Sequence, residues 1–269
     1  MTDIVTININ AQGIADVRLN RADKYNALNS AMFRALAEAG EALKENKNLR
    51  AVVLSGEGKG FCAGLDMTAM MSESGGPASK QGNRFQPQGT DIANFFQKPA
   101  FIWNEIPVPV IAAIHGAAYG GGFQIAMGAD IRIGRHDAKL SIMEIKWGLI
   151  PDMSACATLP NICSLAVAKE LTYTGRIVEA EEALRLGLIN HKVDDHLASA
   201  FELAEAIASK SPDAIRMGKQ LLEQTWQLAP REALQKEAIL QQQLIGKPNQ
   251  MEAVMSNMQK RPAQYRNPE

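Results

Sequence analysis

One stretch constrains this chain more than any other: residues 111–130, IAAIHGAAYGGGFQIAMGAD. The apolar run Val110–Ile114 predicts a buried strand. Three consecutive glycines follow at Gly120, Gly121 and Gly122, and Phe123 to Met127 then read as a helix. A strand, a glycine turn and a helix start present free backbone N–H groups with a positive dipole end. Glycines there keep side chains out of the way of a bound group. The segment is therefore expected to bind an electron-rich atom, although the same triplet would also serve a tight turn between packed elements.

Upstream, Val5, Ile7 and Ile9 alternate with polar residues, as do Ala15, Val17 and Leu19, so residues 4–19 predict a hairpin. Polar NRADKYNALN (20–29) leads into an amphipathic helix over 30–46, and AVVLS (51–55) is a short buried strand. A second glycine-rich turn, GEGKGFCAGLDM (56–67), ends that strand in the same manner. Neither turn has the spacing of a dinucleotide fingerprint or a P-loop.

Residues 68–98 shift to Met-rich and then Ser/Gly/Gln/Pro-rich sequence, read as a long mobile loop followed by a helix near 92–97. Its methionines and Trp103 are expected to shape a pocket for an apolar chain. Downstream, 130–135 and 140–143 predict strands, 155–159 and 164–172 helices, and 179–193 a helix, a glycine stop at Gly187 and a strand. The rhythm is strand–strand–helix. From Leu197 onward the pattern is helical, with helices over 212–226, 231–244 and 247–259. The expected division is a core of residues 1–196 and a helical oligomerisation region, 197–269.

A chain of 269 residues with 46% hydrophobic and 21% charged residues can bury a sizeable core. Its net charge of −1 calls for neither nucleic acid nor an anionic membrane. No apolar run is long enough to span a bilayer. The acidic start MTDIVTININ has no signal-peptide character, which predicts the cytoplasm. Cys62, Cys156 and Cys163 lack disulfide or zinc spacing, and the latter pair are expected on one helix face in the core. The four histidines lack ligand spacing, so no metal is expected.

Taken in order, NRADKYNAL, GKGFCAGLD, IHGAAYGGGFQIAMGADIRI, EIKWGLIPD, TGRIVEAEEALRLGLIN and KRPAQY resemble the crotonase superfamily, the enoyl-CoA hydratase/isomerase group, over residues 5–265. The resemblance implies an α/β fold: a spiral of β-β-α turns with a C-terminal α-helical trimerisation region, as a homotrimer or hexamer. It implies an acyl-CoA thioester as the substrate, with coenzyme A part of that substrate and no separate cofactor. The backbone N–H groups of Leu65 and Gly121 would hold the thioester oxygen, where two preorganised donors stabilise an enolate-like charge by a few kcal/mol. Lys24, Ala27, Ala63 and Asp66 would lie along coenzyme A, and Lys260 would approach its phosphates.

Family hydratases carry two glutamates. The first position here is Gln124, which can orient water or substrate but cannot take a proton. Glu144 retains the second, and Asp152 matches the catalytic aspartate of family isomerases. A carboxylate at each end of a conjugated system can remove and return protons, so Glu144 and Asp152 are the expected catalytic pair for shifting a double bond of an enoyl- or dienoyl-CoA. Hydration by Glu144 is the alternative. Two others are Asp152 as a nucleophile, as in family dehalogenases, and a coenzyme A-binding oligomer without catalysis.

Overall fold

The computed structural model describes residues 3–73 and 82–268. The expected hairpin forms: β1 (Val5–Ile9) pairs antiparallel with β2 (Ile14–Leu19). Helix α1 (Ser30–Lys44) starts where the Asn29 side chain accepts from the Met32 amide, and buries Phe33, Leu36 and Leu43. Strand β3 (Ala51–Gly56) runs parallel to β2. Helix α2 (Met67–Glu73) begins at Asp66, whose carboxylate accepts from the Ala69 amide at 3.0 Å.

The sequence over 68–98 is thus not one loop. Its first part is α2, Gly82–Phe85 is a short 3₁₀ turn, and 74–81 lie outside the described residues. The helix expected near 92–97 starts later, as α3 (Lys98–Glu105). The Asn94 side chain takes the amides of Phe96 and Gln97, which makes 94–97 a turn, and Pro99 fixes the helix start. Trp103 of α3 is completely buried in the core and donates to the Pro99 carbonyl, so it supports the fold and not a pocket wall.

The remainder follows the strand–strand–helix rhythm. Strand β4 (Val110–Ile114) leads to β5 (Ala117–Tyr119) and α4 (Gly121–Met127). Strand β6 (Ile131–Arg135) leads to β7 (Lys139–Ser141). Helices α5 (Ala155–Thr158) and α6 (Leu165–Thr174) follow, then β8 (Val178–Glu179), α7 (Ala180–Arg185) and β9 (His191–Val193). The large sheet has the order β1-β2-β3-β4-β6-β9, parallel except at β1, and the small one β5-β7-β8. From β4 onward each turn of chain places one strand in each sheet: β4 and β5, β6 and β7, then β9 and β8. The β3 turn contributes only the single bridge Cys62↔Ala118.

Helix α8 (His196–Ala208) belongs to this core. Its Ala200 and Ala204 are fully buried against Ile14, Val53, Ile111, Ala113 and Ile133 on one face of the large sheet. The first helix of the expected 197–269 region therefore completes the spiral, because the sheet's second apolar face needs a cover. Helix α9 (Pro212–Thr225) docks through polar contacts: Lys219 pairs with Asp130 at 2.8 Å, and Arg216 donates to the carbonyls of Asn46, Lys47 and Leu49. Helices α10 (Pro230–Leu244) and α11 (Pro248–Met258) leave Leu234, Ile239, Met251, Val254 and Met258 exposed. Cys156 is exposed on α5, and Cys163 is half-buried beyond the 3₁₀ turn Leu159–Asn161. Pro160 at that turn separates them, so they share neither a helix face nor the core. Among the described residues no helix is long and apolar enough to cross a membrane.

Under the first turn of α8, His115 and His196 pack with ring centroids 4.7 Å apart, both nearly fully buried. Among the described residues neither nitrogen of His196 has a hydrogen-bond partner. Burial pushes its pKa down to about 4, and His115 and Arg135 push the same way against Asp195 and Asp137. The unfolded chain, titrating near 6.5, then binds the proton first. Stability is complete above pH 6.5 and falls as the pH drops toward 4, by at most about 3 kcal/mol. Replacing His196 with Phe is expected to shrink the loss of Tm between pH 7.5 and pH 5, measured by thermal melts; an unchanged loss would place the acid sensitivity elsewhere.

Candidate active site

The two glycine turns leave the C-terminal ends of β3 and β4, which are parallel neighbours in register Val52↔Val110, so they emerge side by side. They are then stitched together. The Phe61 and Cys62 amides donate to the His115 and Ala117 carbonyls, and the Tyr119 amide donates back to Cys62. On the other flank, Leu28 donates to Gly64 and Asp66 donates to Leu28. These bonds bracket Leu65, whose own N–H therefore faces away from Leu28.

Asn26 holds the first turn from beneath. It is fully buried in a left-handed conformation, φ 57°, that asparagine tolerates. Its side-chain amide donates to the carbonyls of Glu57, Gly60 and Phe61. Sequence reasoning passed over this residue. The available signal was an asparagine inside the polar string before α1.

The close approach of the turns explains the glycines. A Cβ at Gly64 would stand 2.6 Å from the Tyr119 oxygen and 3.6 Å from the Gly121 nitrogen. One at Gly122 would meet the Cys62 carbonyl at 2.2 Å, and one at Gly121 would strike Leu28 and Met153 at 2.7 Å. Gly120 adopts φ 51°, ψ −119°, which only glycine enters readily. The triplet thus clears space chiefly for the protein itself. Among the described residues, neither the Leu65 N–H nor the Gly121 N–H has a hydrogen-bond partner.

Glu144 opens a 3₁₀ turn (Glu144–Trp147) after β7 and is 9% exposed. Its carboxylate lies over Gly120: a Cβ there would be 3.5 Å from Oε1 and 3.9 Å from Oε2. Oε1 accepts from Gln124 Nε2 at 2.6 Å, while Oε2 is buried and unpartnered. Burial raises the Glu144 pKa, and the charge of Asp152 raises it further, against the Gln124 hydrogen bond. Asp152 is exposed, yet enough protein surrounds its carboxyl for desolvation to raise its pKa also. It caps no helix: the residue before α5 is Ser154, at φ 76°, and Ser154 makes no side-chain cap.

Gln124 is 1% exposed. Its oxygen accepts from the amides of Met153 and Ala155, at 2.8 and 3.2 Å. It therefore binds Glu144 and the 153–155 loop, where the sequence suggested a holder of water or substrate. Beside Asp152 an apolar cavity of about 660 Å³ is lined by Pro151, Ala155, Leu159, Leu165 and Tyr173.

The expected coenzyme A residues divide. Ala27 and Ala63 are half-buried where the 25–28 segment meets the first turn, with the Ala63 amide on the Tyr25 carbonyl. Lys24 is exposed, close enough to help hold the Asp66 pKa down. Asp66 itself is occupied structurally, by the Ala69 amide and by Arg21 at 2.8 Å. Lys260 lies beyond α11 with φ 51° and shares no hydrogen bond or ion pair with any of these.

The enoyl-CoA hydratase/isomerase family model matches residues 9–268. Over 210 residues the chain is 37% identical to the mitochondrial Delta(3,5)-Delta(2,4)-dienoyl-CoA isomerase of Mus musculus. That match covers 77% of this chain, which spans 64% of the relative's length. Mitochondrial methylglutaconyl-CoA hydratase of Mus musculus is 30% identical over 265 residues, 95% of this chain and 80% of that protein. A crystal structure of enoyl-CoA hydratase from Bacillus anthracis has a TM-score of 0.87 at 29% identity, over 97% of this chain and 98% of that one. The paired glycine turns, the spiral of two-strand turns and these matches agree: the chain belongs to the enoyl-CoA hydratase/isomerase family and has the crotonase fold.

Proposed function

We propose that the chain shifts a double bond of an enoyl- or dienoyl-CoA by proton transfer between two carboxyl groups. The observation that carries this is the Glu144 carboxylate lying over Gly120 of the glycine turn, with Asp152 near enough for its charge to raise the Glu144 pKa; burial raises both acids. In this reading the thioester oxygen accepts from the amides of Leu65 and Gly121, which have no other partner among the described residues. Removing a proton next to a thioester, or at the end of a conjugated system, puts charge on that oxygen. Two fixed donors stabilise that charge without reorganising. One carboxylate takes a proton from carbon and the other returns one to a second carbon, so the double bond moves and no water is consumed.

Hydration is less well supported. It would draw on a second acid at position 124, where the residue is a glutamine whose oxygen is already filled by two backbone amides. The similarity to both a dienoyl-CoA isomerase and a methylglutaconyl-CoA hydratase keeps hydration as the outcome that would displace this reading. Ala27, Ala63 and Lys24 are the residues proposed to line coenzyme A, with Lys260 reaching its phosphates from a neighbouring subunit. The exposed apolar side chains of α10 and α11 support a homotrimer or hexamer, in which they would be covered.

A panel of 2-enoyl, 3-enoyl and 3,5-dienoyl thioesters tests the reaction. Isomerisation of a 3-enoyl or 3,5-dienoyl substrate is expected, with Glu144→Gln and Asp152→Asn each lowering kcat by about 10²- to 10⁴-fold while thermal melts stay close to the parent's. Water addition to a 2-enoyl thioester as the fastest reaction would overturn the isomerase reading. The pH profile supplies a second check. Because both carboxyls are raised, the acid limb of kcat/KM is expected above the 4.5 of an ordinary glutamate, with activity lost below it as the proton-accepting carboxylate is protonated. Asp152→Asn removes a neighbouring negative charge and is expected to move the Glu144 titration downward, followed by carboxyl ¹³C NMR.

A further inference from the structure

We infer that Gln124 is a positioning residue that fixes both acids at once, its amide N–H holding one oxygen of Glu144 and its amide oxygen holding the backbone that carries Asp152. The amide orientation is forced. Two backbone N–H groups, from Met153 and Ala155, point at one atom of the side chain, so that atom is the oxygen. The nitrogen then faces Glu144 Oε1 at 2.6 Å. A flipped amide would set N–H against N–H at both backbone contacts.

Two consequences distinguish this from ordinary packing. Glu144 is left with a single oxygen, Oε2, that is buried, unpartnered and free to give or take a proton. The Glu144 carboxylate lies over Gly120, whose peptide bond carries the Gly121 N–H. On the other side, the loop after Asp152 contains Ser154 in a left-handed conformation that a residue with a Cβ adopts at some cost. Gln124 takes the amides immediately before and after that residue, so it holds the strained point from both sides. The backbone of Gln124 is itself fixed, with its N–H on Gly120 and its carbonyl accepting from Gly128. Position 124 thereby links the oxyanion turn, one acid and the loop of the other through one side chain.

The inference rests on the proposed use of Glu144 and Asp152, and its test separates the two. In the parent protein the Gln124 side-chain ¹⁵N signal is expected to titrate with the same midpoint as the Glu144 carboxyl. Gln124→Met keeps the volume and removes both hydrogen-bonding ends. Gln124→Glu keeps an acceptor for Met153 and Ala155 and removes the donor to Glu144. In Gln124→Met the Glu144 carboxyl is expected to titrate about one pH unit higher, since a hydrogen bond to its charged form is lost; in Gln124→Glu the rise is larger, since the two facing carboxyls repel and share a proton. Amide exchange at Met153 and Ala155 is expected to quicken by about tenfold in Gln124→Met and to change little in Gln124→Glu. In Gln124→Met, kcat on the best substrate of the panel is expected to fall about 10- to 100-fold, with KM within about twofold. An unmoved Glu144 titration in a folded variant, unchanged exchange in Gln124→Met, or a Gln124 signal that ignores Glu144 would each overturn the inference. If neither variant folds, the ¹⁵N titration of the parent decides alone. If the titration and exchange results hold while the panel shows no isomerisation, the clamp stands and the proposed reaction falls.

Discussion

The rest of the structure depends on backbone-to-backbone contact between the two glycine turns. Gly64 meets Tyr119, and Gly122 meets Cys62, at distances that exclude even a methyl group. Only main chain fits there. The contact follows from parallel pairing of β3 and β4, which brings both strand ends to one edge of the sheet. Parallel strands need long crossovers; each one here carries a helix, and from β4 onward also a strand of the small sheet. The small sheet, the helix starts and the site are consequences of that winding.

Around this contact the protein spends polar side chains on holding backbone in unusual places. Asn26 ties down three carbonyls of the first turn, and Gln124 ties down two amides of the loop after Asp152. Both are buried, and both reach groups that regular secondary structure leaves unpaired. Such residues contribute to stability mainly by preventing unsatisfied buried groups. They also make the turns rigid, which is what a site built from main-chain donors requires.

Glu144 and Asp152 show how environment sorts two chemically similar acids. Glu144 is buried with one oxygen held and, among the described residues, one unpartnered; Asp152 is exposed. The charge of Asp152 raises the Glu144 pKa, while burial raises that of Asp152. A pair of this kind can hold protons at different points of one reaction cycle.

The sequence by itself determined the large elements and the location of both turns. Alternation over 4–19, the periodicity of α1 and the apolar strands are local signals, and each produced the element it predicts. Motif order was enough to indicate the fold. Signals failed where a side chain acted on distant or neighbouring backbone. Asn94 turned a predicted helix into a turn, and Pro160 parted two cysteines seven residues apart. Tertiary structure alone decided that Trp103 is core, that α8 covers the sheet, that Asp66 is engaged by Arg21, and that Gln124 joins Glu144 to the 153–155 loop. The physical reason is the same throughout: periodicity and capping are encoded within a few residues, whereas the partner of a buried polar atom is set by which segments the winding brings within hydrogen-bond reach.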